Sequence, residues 1–191
     1  MLDTIILQIP LINCNIPDKS RFHLIMAKKS KDGIRIFAKY ANNPTSEDAR
    51  LNIYKPMLTI IETIRATTLK IEFSAAKLLY KNNLQELTET KFMEVVRTLK
   101  KLMADMGVFV NEDIIINALV TAFHPSKNIL INGGYSALMI INEFAKINLT
   151  EKMEFDTKDY RNGGHGLQLR AQAHALIFYD KVLDLEKTEK K

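Results

Sequence analysis

The stretch Thr67–Met106, TTLKIEFSAAKLLYKNNLQELTETKFMEVVRTLKKLMADM, contains the change of pattern that decides the fold. Leu69, Ile71 and Phe73 alternate with Lys70 and Glu72, the period of two expected of a half-buried strand. At Ser74 the period changes. Ala75–Tyr80 suits a helix with Ser74 as its N-cap, stopping at Asn82-Asn83. A longer helix is expected from about Thr88 to Met106, where Phe92, Val95, Val96, Leu99, Leu102, Met103 and Met106 form one apolar stripe. Lys91, Glu94, Arg97, Lys100 and Lys101 lie off that stripe, and Gly107 ends the helix.

Toward the N-terminus the pattern is mostly strand. Thr4–Ile9 is a short apolar run closed by Pro10, and Asn13–Ser20 is a loop. Gly33 opens a strand over Ile34–Tyr40. Residues 41–52 are polar, with Asn42-Asn43-Pro44 as a turn signal. Tyr54–Ile64 has strand character, with Pro56 marking an edge or a strand start. Residues 34–73 therefore read as a β-meander.

Toward the C-terminus, Ile114–Phe123 reads as a buried strand, with helix as the alternative, and His124-Pro125 leaves it as a loop. A third helix is expected over Ser136–Lys146. From Leu167 the odd positions to Tyr179 are apolar, while the even ones begin Gln168, Arg170, Gln172 and His174. One or two strands are expected here, with a polar face of donors suited to phosphate or base edges. Strands grouped with strands and helices inserted between them give an α+β fold. The expectation is a mostly antiparallel sheet of about five to seven strands, with two to three helices on one face. Residues 1–185 read as one domain, and 186–191 as a charged, frayed tail.

Composition narrows the function classes. The 191 residues are 47% hydrophobic and 26% charged, enough to bury a substantial core. The single cysteine, Cys14, excludes an intramolecular disulfide and a Cys-cluster zinc site, and suits a reducing cytoplasm. No apolar run approaches the ~20 residues that span a bilayer, so no membrane partner is expected. The start, MLDTIILQIPLI, has no basic n-region and carries Asp3, unlike a signal peptide. A net charge of +5 and a pI near 9.2 favour an anionic partner.

Phosphate-loop, dinucleotide, nucleophile-elbow and zinc-protease motifs do not occur. Of the four histidines, His124 leaves a strand beside Ser126 and Lys127, and His165 sits between glycines that free the backbone to approach a ligand. With Glu72 they form a candidate set for Mg²⁺ or Mn²⁺ carrying a phosphate oxygen, although the sequence itself does not place the three together. Lys70, Lys127, Arg161, Arg170 and Lys181 are candidate phosphate contacts, grouped along one sheet face. Tyr160, Phe178 and Tyr179 could stack on bases. The same two tyrosines are the candidate nucleophiles of a nicking reaction, though Tyr179 shares an apolar face with Ile177.

Five segments in order carry a family resemblance: MLDTIILQIPLI, LKIEFSAAKLLYKNNLQEL, FHPSKNIL, IINEFAKINL and DYRNGGHGLQLRAQAHALIFYDKVLDL. Together they resemble the filamentous-phage gene II/gene X replication initiators, the CRI phage replication proteins. That resemblance implies a rolling-circle initiator that binds a duplex origin and nicks one strand through a tyrosine, assisted by a divalent metal. Members of the family continue beyond the FYDK segment, where the nucleophilic tyrosine is expected. The sequence has no pair of histidines flanking one apolar residue, and Ala76 stands where related sequences often show proline. The expectation is a DNA-binding initiator domain without its nicking segment. The alternatives are a complete metal-dependent nickase, a regulatory remnant that pairs with a full-length initiator or with itself, and a protein–protein module.

Overall fold

The computed structural model describes residues 2–82, 85, 87–146, 157–161, 166–170 and 175–183, without the side chains of 2, 3 and 157–161. Where the sequence reads as one block to residue 185, the contacts gather into two compact units, Met1–Asn128 and Ile129–Lys191. The fold is α+β. In the first unit, strands β1 (Leu2–Pro10), β2 (His23–Lys29), β3 (Arg35–Asn42), β4 (Met57–Thr63), β5 (Thr67–Ser74) and β6 (Leu119–Pro125) form one antiparallel sheet in the order β2-β3-β4-β5-β1-β6. The expected meander is present as β3-β4-β5, and β1 returns to pair with β5.

The change of period at Ser74 is the point where strand becomes helix. β5 buries Leu69, Ile71 and Phe73, and the chain turns directly into α2 (Ala75–Tyr80). The Ser74 hydroxyl accepts the Lys77 N–H at 3.4 Å as the N-cap, and the Ser74 N–H donates to the Tyr54 hydroxyl at 2.5 Å. A 3-10 turn (Glu89–Lys91) leads into α3 (Phe92–Asp105), whose Val95, Val96, Leu99 and Met103 are buried. They pack with Leu7 and Ile9 of β1, Leu58 and Ile60 of β4, and Leu69 and Ile71 of β5 in one core. One side-chain amide and one guanidinium finish the C-terminus of α3. Asn42 Nδ2 donates to the Met106 carbonyl at 3.0 Å, and Arg21 NH1 donates to the Asp105 carbonyl at 3.3 Å. Gly107 follows at φ +83, and a Cβ there would meet the Arg21 side chain at 3.1 Å, so the helix stops at glycine for two reasons.

Two local expectations are corrected, and one polar stretch gains an element. Ile114–Phe123 is not one strand: α4 (Glu112–Ile116) ends at Asn117, whose Nδ2 donates to the Asp113 carbonyl at 2.8 Å, and β6 begins at Leu119. His124 and Pro125 are not a loop but the end of β6, paired with Thr4 and Leu2. Proline is accommodated because β6 is an edge strand. Within the polar stretch 41–52 a short helix, α1 (Ser46–Arg50), is held by a capping box between Thr45 and Asp48. Lys55 Nζ reaches Asp48 Oδ1 at 2.6 Å, and the Lys55 and Thr45 hydrogen bonds together hold the Asp48 carboxyl down at about 2.

In the second unit, β7 (Thr157–Arg161), β8 (Gly166–Arg170) and β9 (Ala175–Tyr179) form a three-stranded antiparallel sheet with β8 central. Of the one or two strands expected from Leu167, two are present, β8 and β9, paired antiparallel. The register sets Leu167 opposite Phe178 and Leu169 opposite Leu176, so the apolar face moves from odd to even positions across the hairpin. Ile141 of α5 (Ala137–Lys146) packs with Leu167 and Leu169, and the Phe144 and Phe178 rings lie 4.8 Å apart. Gln168, expected on a wet face, is buried. Among the described residues no helix is long and apolar enough to cross a membrane.

Two outcomes follow. Leu99 has no exposed surface, so Leu99→Ala should cost about 2–5 kcal/mol in denaturant unfolding; a loss below about 1 kcal/mol would contradict the one-sided core. Asp48 has a folded-state pKa below its ordinary 3.8, so its stabilisation is present above that pH and is lost as the pH falls toward about 2. Asp48→Asn should lower Tm at pH 7 and flatten the fall of Tm between pH 4 and pH 2, read by thermal melts.

Candidate nucleic-acid interface

Directly paired residues of antiparallel strands project to the same side of the sheet. The register therefore builds the face opposite the helices row by row. Gln8 of β1 faces Lys70 of β5, which faces Thr59 of β4. Ile6 faces Glu72, which faces Met57. Ile61 faces Lys39 of β3, and Thr63 faces Phe37. Thr4 lies between Ser74 and His124. Most of this face is half-buried, with Met57, Thr63 and His124 exposed and Ser74 buried. It mixes apolar patches with amide, hydroxyl and ammonium donors. Lys39 Nζ sits 5.5 Å from the Phe37 ring centre, and Gln8 Nε2 donates to Thr68 Oγ1 at 2.8 Å.

Lys70, the expected phosphate contact on this face, is engaged. Its Nζ donates to Glu72 Oε2 at 2.8 Å, with the two side chains about a third and a quarter exposed. A partly exposed pair of this kind contributes no more than about 1 kcal/mol. Its larger effect is electrostatic: Glu72 cancels much of the Lys70 charge toward an incoming anion.

The expected metal donors divide. Glu72 and His124 lie on the same side of the sheet, on β5 and β6 with β1 between them. His165 lies outside the described residues. Among the described residues no group of three His, Cys, Asp or Glu side chains can hold a metal, and the Glu72 carboxylate already accepts from Lys70. The described residues therefore supply no metal centre on which a chemical step can be built.

The five expected phosphate contacts are divided between two sheets, not gathered on one. Lys70 belongs to the six-stranded sheet, and Lys127 follows its edge strand β6. Arg161 ends β7, opposite Gly166, and Tyr160 is opposite Leu167, with neither side chain described. Arg170 ends β8, and Lys181 follows β9. On β8 and β9, Gly166 faces Tyr179, Gln168 faces Ile177, and Arg170 faces Ala175. Tyr179, Ile177 and Arg170 thus share the side of this sheet away from α5. Ile177 and Tyr179 are exposed at 54% and 38%. Lys181 Nζ donates to the Tyr179 hydroxyl at 3.0 Å and lies 5.2 Å from the ring centre, while Arg170 NH2 donates to Gln168 Oε1 at 3.4 Å. Phe178 is on the opposite side, packed on Phe144, so it is core and not a stacking surface.

Phe37, Lys39 and Gln8 were not legible as site residues, because only strand register shows that they share a side with Lys70. Cys14 has a thiol pushed up to about 11 by burial, which makes it a poor nucleophile. No family model, no curated protein and no solved structure matches the chain.

If the face around Lys70 meets phosphate, removing its neutralising partner should strengthen binding. Glu72→Gln should tighten DNA binding severalfold at moderate salt, on the order of one added phosphate contact. Unchanged or weaker binding in fluorescence anisotropy would remove Lys70 from the interface.

Proposed function

We propose that the chain is a DNA-binding domain of the phage or plasmid rolling-circle initiator type, acting in the cytoplasm at a replication origin. The observation that carries this reading is the side of β8 and β9 away from α5. An exposed aromatic ring, Tyr179, lies there between Lys181 and an exposed apolar neighbour, Ile177, with Arg170 on the same side. A ring for stacking with a cation beside it for phosphate is the arrangement that sheet-based single-strand binders use. The five ordered segments resembling gene II/gene X initiators give the same direction independently, and the net charge of +5 agrees with a polyanionic partner.

A second reading, a nickase that uses Tyr179, draws on the same geometry. The Tyr179 hydroxyl is at the surface and accepts from Lys181 at 3.0 Å. A tyrosine nucleophile would need its hydroxyl to reach the scissile phosphate, with a cation to steady the developing charge.

One pair of variants separates the readings. Tyr179→Ala should weaken binding of a single-stranded oligonucleotide about tenfold or more, through loss of stacking, whereas Tyr179→Phe should leave it within about threefold. Supercoiled DNA incubated with Mg²⁺ should remain supercoiled with either protein. Nicked product formed by the wild type and lost in Tyr179→Phe would favour the nickase. An unchanged affinity in Tyr179→Ala would remove this surface from the function.

A further inference from the structure

The basic charge of this chain is concentrated in one element that none of the expected contacts includes. Residues 19–39 contain Lys19, Arg21, Lys28, Lys29, Lys31, Arg35 and Lys39 against a single acid, Asp32. That excess of six exceeds the whole chain's net charge of +5, so the remainder is close to neutral. Most of these cations lie on the β2–β3 hairpin.

The hairpin stands apart from the rest of the sheet in three ways. β2 is an edge strand, and all seven of its residues are exposed. Its ladder with β3 shifts register twice, between Leu24 and Met26 and between Lys28 and Lys29, and such bulges increase the twist of a two-stranded ribbon. The hairpin also outruns its neighbour. β4 pairs with β3 only from Phe37 to Asn42, so Lys29–Ile36 extends past the last β4 partner, Thr63. The tip is a tight turn in which the Gly33 N–H donates to the Ser30 carbonyl at 3.1 Å, with Gly33 at φ +79.

The tip cations are not neutralised. Among the described residues Lys28, Lys29, Lys31 and Arg35 take part in no salt bridge, and Arg35 donates only to the neutral Tyr40 hydroxyl, at 2.6 Å. This contrasts with Lys70, Lys91 and Lys100, each held by a glutamate. Arg65, in the turn after β4, adds a further cation at the same end of the sheet, and Asp32 and Glu62 are the acids nearby in the chain. An exposed Ile34 projects from the turn with 66% of its surface open.

We propose that the β2–β3 hairpin is a basic arm that lies in a groove of duplex DNA. The major groove admits a two-stranded ribbon, strands about 4.8 Å apart leave room for side chains within its ~12 Å width, and a twisted ribbon follows its curvature. Lys28, Lys29, Lys31 and Arg35 contact phosphates on the groove walls, and Ile34 enters the groove at the tip. Affinity from this arm is largely independent of sequence, since its charged contacts are to backbone. The inference rests on the DNA-binding reading above and extends it, assigning duplex contact to the first unit and single-strand contact to the second.

The test compares three proteins: wild type, the hairpin variant Lys28→Ala/Lys29→Ala/Lys31→Ala, and a control with the same charge loss on α3 and the 3-10 turn before it, Lys91→Ala/Arg97→Ala/Lys101→Ala. All the hairpin substitutions are on exposed residues, and thermal melts within a few degrees of wild type would verify folding. At about 0.1 M salt the hairpin variant should bind a short duplex on the order of 10²-fold more weakly than wild type, and its log K against log salt slope should fall by about 2–3. The control should lose less than about threefold, and the hairpin variant should lose less on a single-stranded oligonucleotide than on the duplex. Equal losses in hairpin and control variants would overturn the arm, as would equal losses on duplex and single strand. So would unchanged DNA affinity with an altered sedimentation mass, which would mark β2 as a pairing edge for a second copy. If wild type binds neither DNA form, the underlying DNA-binding reading fails first.

Discussion

The structure depends on the one-sided burial of the six-stranded sheet. Leu69 and Ile71 of β5 have no exposed surface beneath α2 and α3, whose Leu99 and Met103 are equally enclosed. Because side chains alternate along a strand, the same contact that buries Leu69, Ile71 and Phe73 turns Lys70 and Glu72 to the opposite side. Register then carries this division across β1, β4 and β3. α2, α3 and α4 cover one side, and polar groups accumulate on the other. A slip of one residue in β5 would invert both, so the core fixes the position of every functional candidate on this sheet.

The second unit applies the same logic on a smaller scale. α5 covers Leu167, Leu169 and Phe178, and the alternation leaves Ile177 and Tyr179 on the other side with Arg170. The two sheets differ in how their cations are treated. Lys70 is held by a carboxylate, whereas Lys181 rests against a neutral phenol and the hairpin lysines have no acidic partner among the described residues. Charge available to a polyanion therefore lies at the edge ribbon and at the β8–β9 surface, not at the centre of the large sheet.

Much of the fold was legible because its elements have strong periods. The β5-to-α2 transition, the stripe of α3 and the Gly107 stop were readable from Leu69 to Gly107, and Ser74 is the N-cap its residue type suggests. The failures have physical causes. β2 carries no alternation because an edge strand exposed on both sides does not sort its residues by polarity. α4 and β6 merged into one apolar run because Ile114 and Ile115 pack on the core from a helix only five residues long. The sequence left one or two strands open at 167–179, because apolar residues fall on odd positions throughout although the buried parity changes between β8 and β9. The site was less legible than the fold. Lys70 looked free, but Glu72, two residues on along the same strand, accepts from its Nζ at 2.8 Å, and the cation density of residues 19–39 was visible in the sequence but lacked a strand to give it a surface.

The central claim, that this chain acts by binding DNA through unneutralised cations, is tested most directly by the salt dependence of its affinity. Equilibrium binding of the intact chain to a short DNA should be measured between about 50 and about 200 mM monovalent salt. The account requires log K to fall linearly with log salt, with affinity dropping on the order of 10²-fold across that range, as expected for about four phosphate contacts. An affinity that stays constant over the range would contradict it.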